Sequence, residues 1–152
     1  MKIIPFRPGL AKYFRDLNLL WLEKYFYVEN KDTELLENCE NSIINKGGYI
    51  FFAEIDNEIV GCYSMIKLND SIYELGKMAV DQSYQGQKIG QKLMLHGIAF
   101  AKSQNWKELI LYSNTILEPA IHIYKKFGFR KVALEKDTPY ARSNIKMQLV
   151  LY

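Results

Sequence analysis

The chain has 152 residues, 49% hydrophobic and 24% charged, with a formal net charge of +3. That length suits one domain around one core, expected to span residues 1–152. No stretch reaches the roughly 18–20 uninterrupted apolar residues of a membrane helix, Arg7 and Lys12 interrupt any signal-peptide core, and so small a charge excess gives no ground for nucleic-acid binding. A cytoplasmic protein with no membrane attachment is the expectation. Two cysteines, Cys39 and Cys62, and two histidines, His96 and His122, are too few for a disulfide framework or a structural metal site.

In chain order, Ile3 to Arg7 reads as a short strand ended by Pro8-Gly9. Tyr13, Phe14, Leu17, Leu20 and Trp21 recur at helical spacing within Leu10 to Tyr27. Asp32-Thr33 then caps a predicted second helix, Glu34 to Asn45, which Lys46-Gly47-Gly48 ends. Three strands follow, Tyr49 to Ile55, Glu58 to Leu68 and Ile72 to Val80. The short turns Asp56-Asn57 and Asn69-Asp70 make them an antiparallel meander. Gly61 and Gly76, inside strands, mark a bulge or a close backbone approach.

The pattern changes after Val80. A polar loop leads into a helical stripe, Ile89, Leu93, Leu95, His96 and Phe100, running to about Ser103. Strand Glu108 to Tyr112, helix Ile116 to Phe127, and strands Phe129 to Leu134 and Ile145 to Leu151 complete the chain. The order is that of an α+β, mixed three-layer domain.

Chemistry concentrates in two places. The first is strand, loop, helix: Glu74 to Val80, then Gln85-Gly86-Gln87-Lys88-Ile89-Gly90, then Gln91 onward. Unpaired amides and the positive end of the dipole make such a helix mouth an anion site. Gly86 and Gly90 admit a phosphate to the backbone, and Lys88 and Lys92 add charge. The loop lacks the Gly-Lys-Ser/Thr of a Walker loop, and no βαβ opening precedes it as a dinucleotide fingerprint requires. The second place is Asn114 to Phe129, a strand end and a helix capped by Gly128. Tyr124 lies there one turn past Ala120, read from the residues alone as an amphipathic core side chain with its hydroxyl at the rim.

Together these segments resemble the GCN5-related N-acetyltransferase (GNAT) superfamily. Met78 to Gly90 is similar to its acetyl-CoA loop, Gln/Arg-x-x-Gly-x-Gly/Ala, and Asn114 to Phe129 to its second motif, ending Tyr-x-Lys-x-Gly-Phe. One departure stands out: Lys88 holds the loop's fourth position, where the family usually has glycine. A first-turn helical residue with φ < 0 would tolerate it; φ > 0 would cost on the order of 1 kcal/mol.

The resemblance implies an acyl-CoA N-acyltransferase fold, a mostly antiparallel, splayed sheet of about seven strands with four helices. It also implies acetyl transfer from acetyl-CoA, a co-substrate, to a primary amine, with no metal. The backbone of Met78, Ala79 and Val80 is then expected to hold the pantetheine arm, with an N–H of Met78 or Ala79 on the thioester carbonyl. The N–H groups of Gln85, Gly86, Gln87, Lys88, Gly90 and Gln91 would wrap the pyrophosphate, and Asn114 would bond the arm. Tyr124 is the expected proton donor to the departing thiolate. Glu74 is the candidate base: four residues before Met78, it is expected on the same strand face. A surface carboxylate or a substrate-ammonium anchor is the other reading of Glu74.

Residues 23–40 are acid-rich and residues 85–131 base-rich. The acidic run, beside the expected acceptor entrance, favours a cationic amine such as a polyamine, an aminoglycoside, lysine or a basic peptide terminus, with Tyr25, Phe26 and Tyr27 lining its pocket. Two solvated helix faces are the plainer reading of the same charges. The other function classes are a non-catalytic acyl-CoA-binding sensor or subunit and a nucleotide-binding regulator, the latter lacking a Walker lysine. A homodimer through the last strand is an expectation from the family alone.

Overall fold

The computed structural model describes residues 1–152. In chain order the elements are β1 (Lys2–Pro5), α1 (Ala11–Tyr25), α2 (Asn30–Glu37), β2 (Tyr49–Ile55), β3 (Glu58–Lys67), β4 (Ile72–Val80), α3 (Ile89–Ser103), β5 (Glu108–Ser113), α4 (Glu118–Lys126), β6 (Arg130–Val132) and β7 (Ile145–Val150). One seven-stranded sheet runs β1-β2-β3-β4-β5-β7-β6. Every neighbouring pair is antiparallel except β4 and β5. This is the mixed, three-layer arrangement expected of the sequence.

The meander forms as its turns dictate. Asp56 and Asn57 both take positive φ, 49° and 66°, the conformation that matches a tight hairpin to strand twist. The second helix differs from expectation. It starts earlier, with Glu29 as N-cap, and Asp32 is its third residue instead of its cap. The Glu29 N–H donates to Asp32 Oδ2 at 2.9 Å, one half of a reciprocal capping box. It stops at Asn38, whose backbone leaves helical space, and a separate π turn, Glu40–Ile44, follows.

Two apolar clusters sandwich the sheet. On one face α3 sends Ile89, Leu93, Met94 and Ala101 against Tyr63, Met65, Leu75 and Leu111. A Cβ on Gly97 would sit 2.9 Å from Met65 Cε, so glycine there lets α3 lie close against the sheet. On the other face Phe14 and Leu22 of α1 and Leu35 and Leu36 of α2 cover Phe52, Cys62 and Ala79. Each fully buried Leu, Ile, Phe or Met among them contributes roughly 1.5–3 kcal/mol. Both cysteines are buried free thiols, Cys62 pushed up to about 12 by its burial.

Candidate active site

The chemistry is positioned by a defect in the sheet. β4 and β5 pair only through Ile72–Glu74 and Glu108–Ile110, then part. At the same level β4 bulges: Ser64 opposes Gly76 and Cys62 opposes Ala79, so Lys77 and Met78 together face Tyr63. Lys77 takes φ 51°, the left-handed conformation such an extra residue adopts. The bulge overturns one expectation. Met78 lies with the α3-side cluster, whereas Glu74 bonds Tyr140 of the opposite cluster, so the two are on opposite faces. Simple alternation fails because one inserted residue flips the pleat. Beyond the bulge, the Asp81 N–H donates to Val60 C=O. By alternation Ala79 then turns its main chain to β3, and Met78 and Val80 turn theirs to the open edge.

The parting opens a cavity of about 810 Å³ that reaches both faces, with Trp21 and Leu22 of α1 on one side and Met94 of α3 and Tyr124 of α4 on the other. The residues expected to act in catalysis or to hold the co-substrate all line it except Gln87.

At the helix mouth no acceptor is found for the main-chain N–H groups of Gly86, Gln87, Lys88, Ile89, Gly90 and Gln91; the first bond of α3 is Lys92 N–H to Lys88 C=O, 3.1 Å. A Cβ at Gly86 or Gly90 would meet nothing within 4 Å, so the mouth is open. Free donors at the positive end of a fifteen-residue helix suit a diphosphate. Two details depart from expectation. The Gln85 N–H is taken by Gln82 C=O at 3.2 Å, and Lys88 sits at φ 60°, not in a first helical turn.

Glu74, 5% exposed, is the only carboxylate lining the cavity. It accepts a 3.2 Å hydrogen bond from the Tyr140 hydroxyl on Oε2. Burial raises its pKa, against the charge of Lys77 and the Tyr140 bond. Around Tyr140 stands an ionic cluster that local sequence does not reveal. Lys77 Nζ lies 2.5 Å from Asp32 Oδ1, and Arg142 donates to both Asp32 oxygens, at 2.6 and 2.9 Å, and to Glu29 Oε2 at 2.9 Å. Lys77 Nζ and Arg142 Cζ lie 4.4 and 4.7 Å from the centroid of the Tyr140 ring. The signal available in sequence was a lysine inside an apolar strand next to Gly76. Nothing local marked Tyr140 or Arg142, which arrive on the segment between β6 and β7.

On the far wall the Tyr124 hydroxyl is raised in pKa by burial, with the Ser113 side chain offsetting this in part, so it holds its proton. The Asn114 amide donates to Arg142 C=O at 2.8 Å while its oxygen accepts the Ile116 N–H at 3.0 Å, tying the α4 entrance to the β6–β7 segment. His96 Nδ1 meets the Tyr63 hydroxyl at 2.7 Å, which leaves it satisfied against the core. Tyr25 and Phe26 line the cavity and Tyr27 does not. The acidic run does not face the cavity either: Glu29 and Asp32 are taken up by Arg142 and Lys77, and no residue of the run between Glu29 and Glu40 lines it. It gives a cationic acceptor no support.

Comparison with known proteins identifies the family and the fold. The family described as "Acetyltransferase (GNAT) family" matches residues 14–129. The probable N-acetyltransferase camello of Xenopus laevis is 31% identical over 136 residues, covering 88% of this chain and 62% of that protein. N-acetyltransferase 8 of Homo sapiens is 25% identical over 115 residues, covering 72% and 51%. The chain thus spans less than two thirds of the length of each of these relatives. Among solved structures, a GNAT-family acetyltransferase from Staphylococcus aureus Mu50 superimposes with a TM-score of 0.87 at 26% identity over 99% of both chains. One from Elizabethkingia anophelis with acetyl-CoA bound gives 0.74 at 24% identity over 99% and 97%.

Proposed function

The chain belongs to the GNAT acetyltransferase family, and on that premise we propose that it transfers the acetyl group of acetyl-CoA to a primary amine by direct attack. One observation carries the reading: the open helix mouth and the parted strands share a cavity whose walls hold an oriented carboxylate and a protonated phenol. The acetyl-CoA held by the relative from Elizabethkingia anophelis supports the same co-substrate.

In this reading the free amides from Gly86 to Gln91 grip the diphosphate, and Lys88 adds charge. The outward main chain of Met78 and Val80 extends β4 toward the pantetheine arm, occupying the place β5 leaves. A Met78 N–H aimed at the thioester oxygen stabilises developing negative charge, worth roughly 3–4 kcal/mol for one donor. An alkyl ammonium has a pKa near 10 and must lose a proton to attack. Glu74 accepts it directly or through a water. Tyr124, whose hydroxyl burial keeps protonated, delivers its proton to the departing thiolate, and burial makes the Glu74 carboxylate a stronger base.

The test is release of free thiol from acetyl-CoA over a panel of amines. Glu74→Gln is expected to lower kcat by about 100-fold or more, and Tyr124→Phe to lower kcat with little change in KM for acetyl-CoA. Unchanged turnover in both variants would overturn the assignments. Binding of acetyl-CoA without transfer to any amine would leave a carrier or sensor.

A further inference from the structure

The cavity has one wall that catalysis of acetyl transfer does not account for. Where α1 ends, Trp21, Tyr25 and Phe26 line it, with the Trp21 ring tilted against Tyr25 and Phe26 at 5.3 and 5.7 Å between centroids. Tyr25 remains 40% exposed. Aromatic faces that border a cavity without being covered by the core are contact surface for whatever enters it.

The charges in the cavity narrow what that is. Four charged side chains line it: Glu74, Lys77, Lys88 and Arg142. Lys88 belongs to the helix mouth. Lys77 and Arg142 are both committed to Asp32, and Arg142 also to Glu29, at 2.5–2.9 Å. An acceptor carboxylate would have to compete with carboxylates already in place. A second ammonium group would meet no free carboxylate and stand near two cations. Only Glu74 is uncommitted to a cation. Its Oε2 takes the Tyr140 hydroxyl, and Oε1 has no protein partner yet is not a buried orphan, so it has accessible surface.

We propose that the acceptor is a primary monoamine on an uncharged, apolar body, its nitrogen placed at Glu74 and its body, aromatic in the best case, against Trp21, Tyr25 and Phe26. Polyamines, aminoglycosides and free amino acids are disfavoured for the same reason: each brings a second charge with no counter-ion waiting. This rests on the acetyl-transfer reading above and adds the substrate class to it.

The test uses the wild-type chain, acetyl-CoA and four amines: 2-phenylethylamine, ethylamine, phenylalanine and spermidine. Phenylalanine differs from the first by a carboxylate, ethylamine by the ring, and spermidine by extra charge. The expected kcat/KM for 2-phenylethylamine exceeds each of the others by about tenfold or more. Trp21→Ala is expected to raise KM for 2-phenylethylamine about tenfold with KM for acetyl-CoA unchanged, and Trp21→Phe to restore most of it. Equal or better use of spermidine or phenylalanine would overturn the substrate class while leaving acetyl transfer standing. Equal use of ethylamine would overturn the aromatic wall. No transfer to any of the four, with a thermal shift by acetyl-CoA, would overturn this substrate class alone; no thermal shift either would overturn the acetyl-transfer reading and this inference with it.

Discussion

Lys88 is the residue at which this chain departs from its family's loop, and its backbone shows the consequence. At φ 60° and ψ 26° it caps α3 in the left-handed region, where a side chain costs roughly 1–2 kcal/mol that glycine avoids. The lysine is thus held against a local preference, at the mouth where its charge faces an anion site. Two truncations separate the strain from the charge. Lys88→Gly and Lys88→Ala lose the same ammonium, so both are expected to weaken acetyl-CoA binding alike, measured by calorimetry. Only glycine relieves the backbone, so Lys88→Gly is expected to be about 1 kcal/mol more stable than Lys88→Ala in denaturant unfolding. Equal stability would mean that the left-handed conformation carries no strain.

At the scale of elements, the segment between β6 and β7 is latched to α2. The Glu29 carboxylate accepts the Ala141 N–H at 2.7 Å and the Arg142 N–H at 3.3 Å, and Asp32 ties Arg142 to Lys77 of β4. Asp32 is fully buried. Burial acts to raise its pKa, but the Arg142 hydrogen bond and the charge of Lys77 prevail and lower it. A carboxylate with a depressed folded pKa contributes stability above its unfolded pKa and loses it as pH falls through the folded one. Asp32→Asn leaves Lys77 and Arg142 without their shared counter-ion, an expected loss of about 3–5 kcal/mol at pH 7. The gap between variant and wild type is expected to narrow below about pH 4, the ordinary carboxylate range. A gap that did not change with pH would show that Asp32 acts by packing alone.

The elements themselves were largely legible. Tyr49–Ile55 and Ile72–Val80 have the bounds their apolar runs and turns suggest, and Ile89–Ser103 follows its stripe. The helix mouth was readable because glycine spacing and a strand-to-helix change are local. The bulge at Lys77 was not, since two residues opposing one is a property of the β3–β4 register and of no single strand. The latch was unreadable for a related reason. Arg142 and Asp32 are 110 positions apart, and charges that look solvated in a linear reading are consumed in three dimensions. That is why an acidic run suggesting a cationic acceptor ended as the counter-ions of two buried cations.

Across the whole molecule, each face of the sheet has its own task. The α3 and α4 face supplies free amides and the phenol of Tyr124; the α1 and α2 face supplies aromatic walls and Glu74, aligned by Tyr140. The parting of β4 and β5 gives a route between them. No helix is long and apolar enough to cross a membrane. The central claim is that one extended co-substrate passes from helix mouth to sheet opening. A crystal structure with acetyl-CoA tests it most directly. The account predicts the diphosphate on the amides of Gly86 to Gln91, the pantetheine arm alongside Met78 and Val80, and the thioester between Glu74 and Tyr124. A diphosphate bound away from that helix mouth, or a thioester outside the parting of β4 and β5, would contradict it.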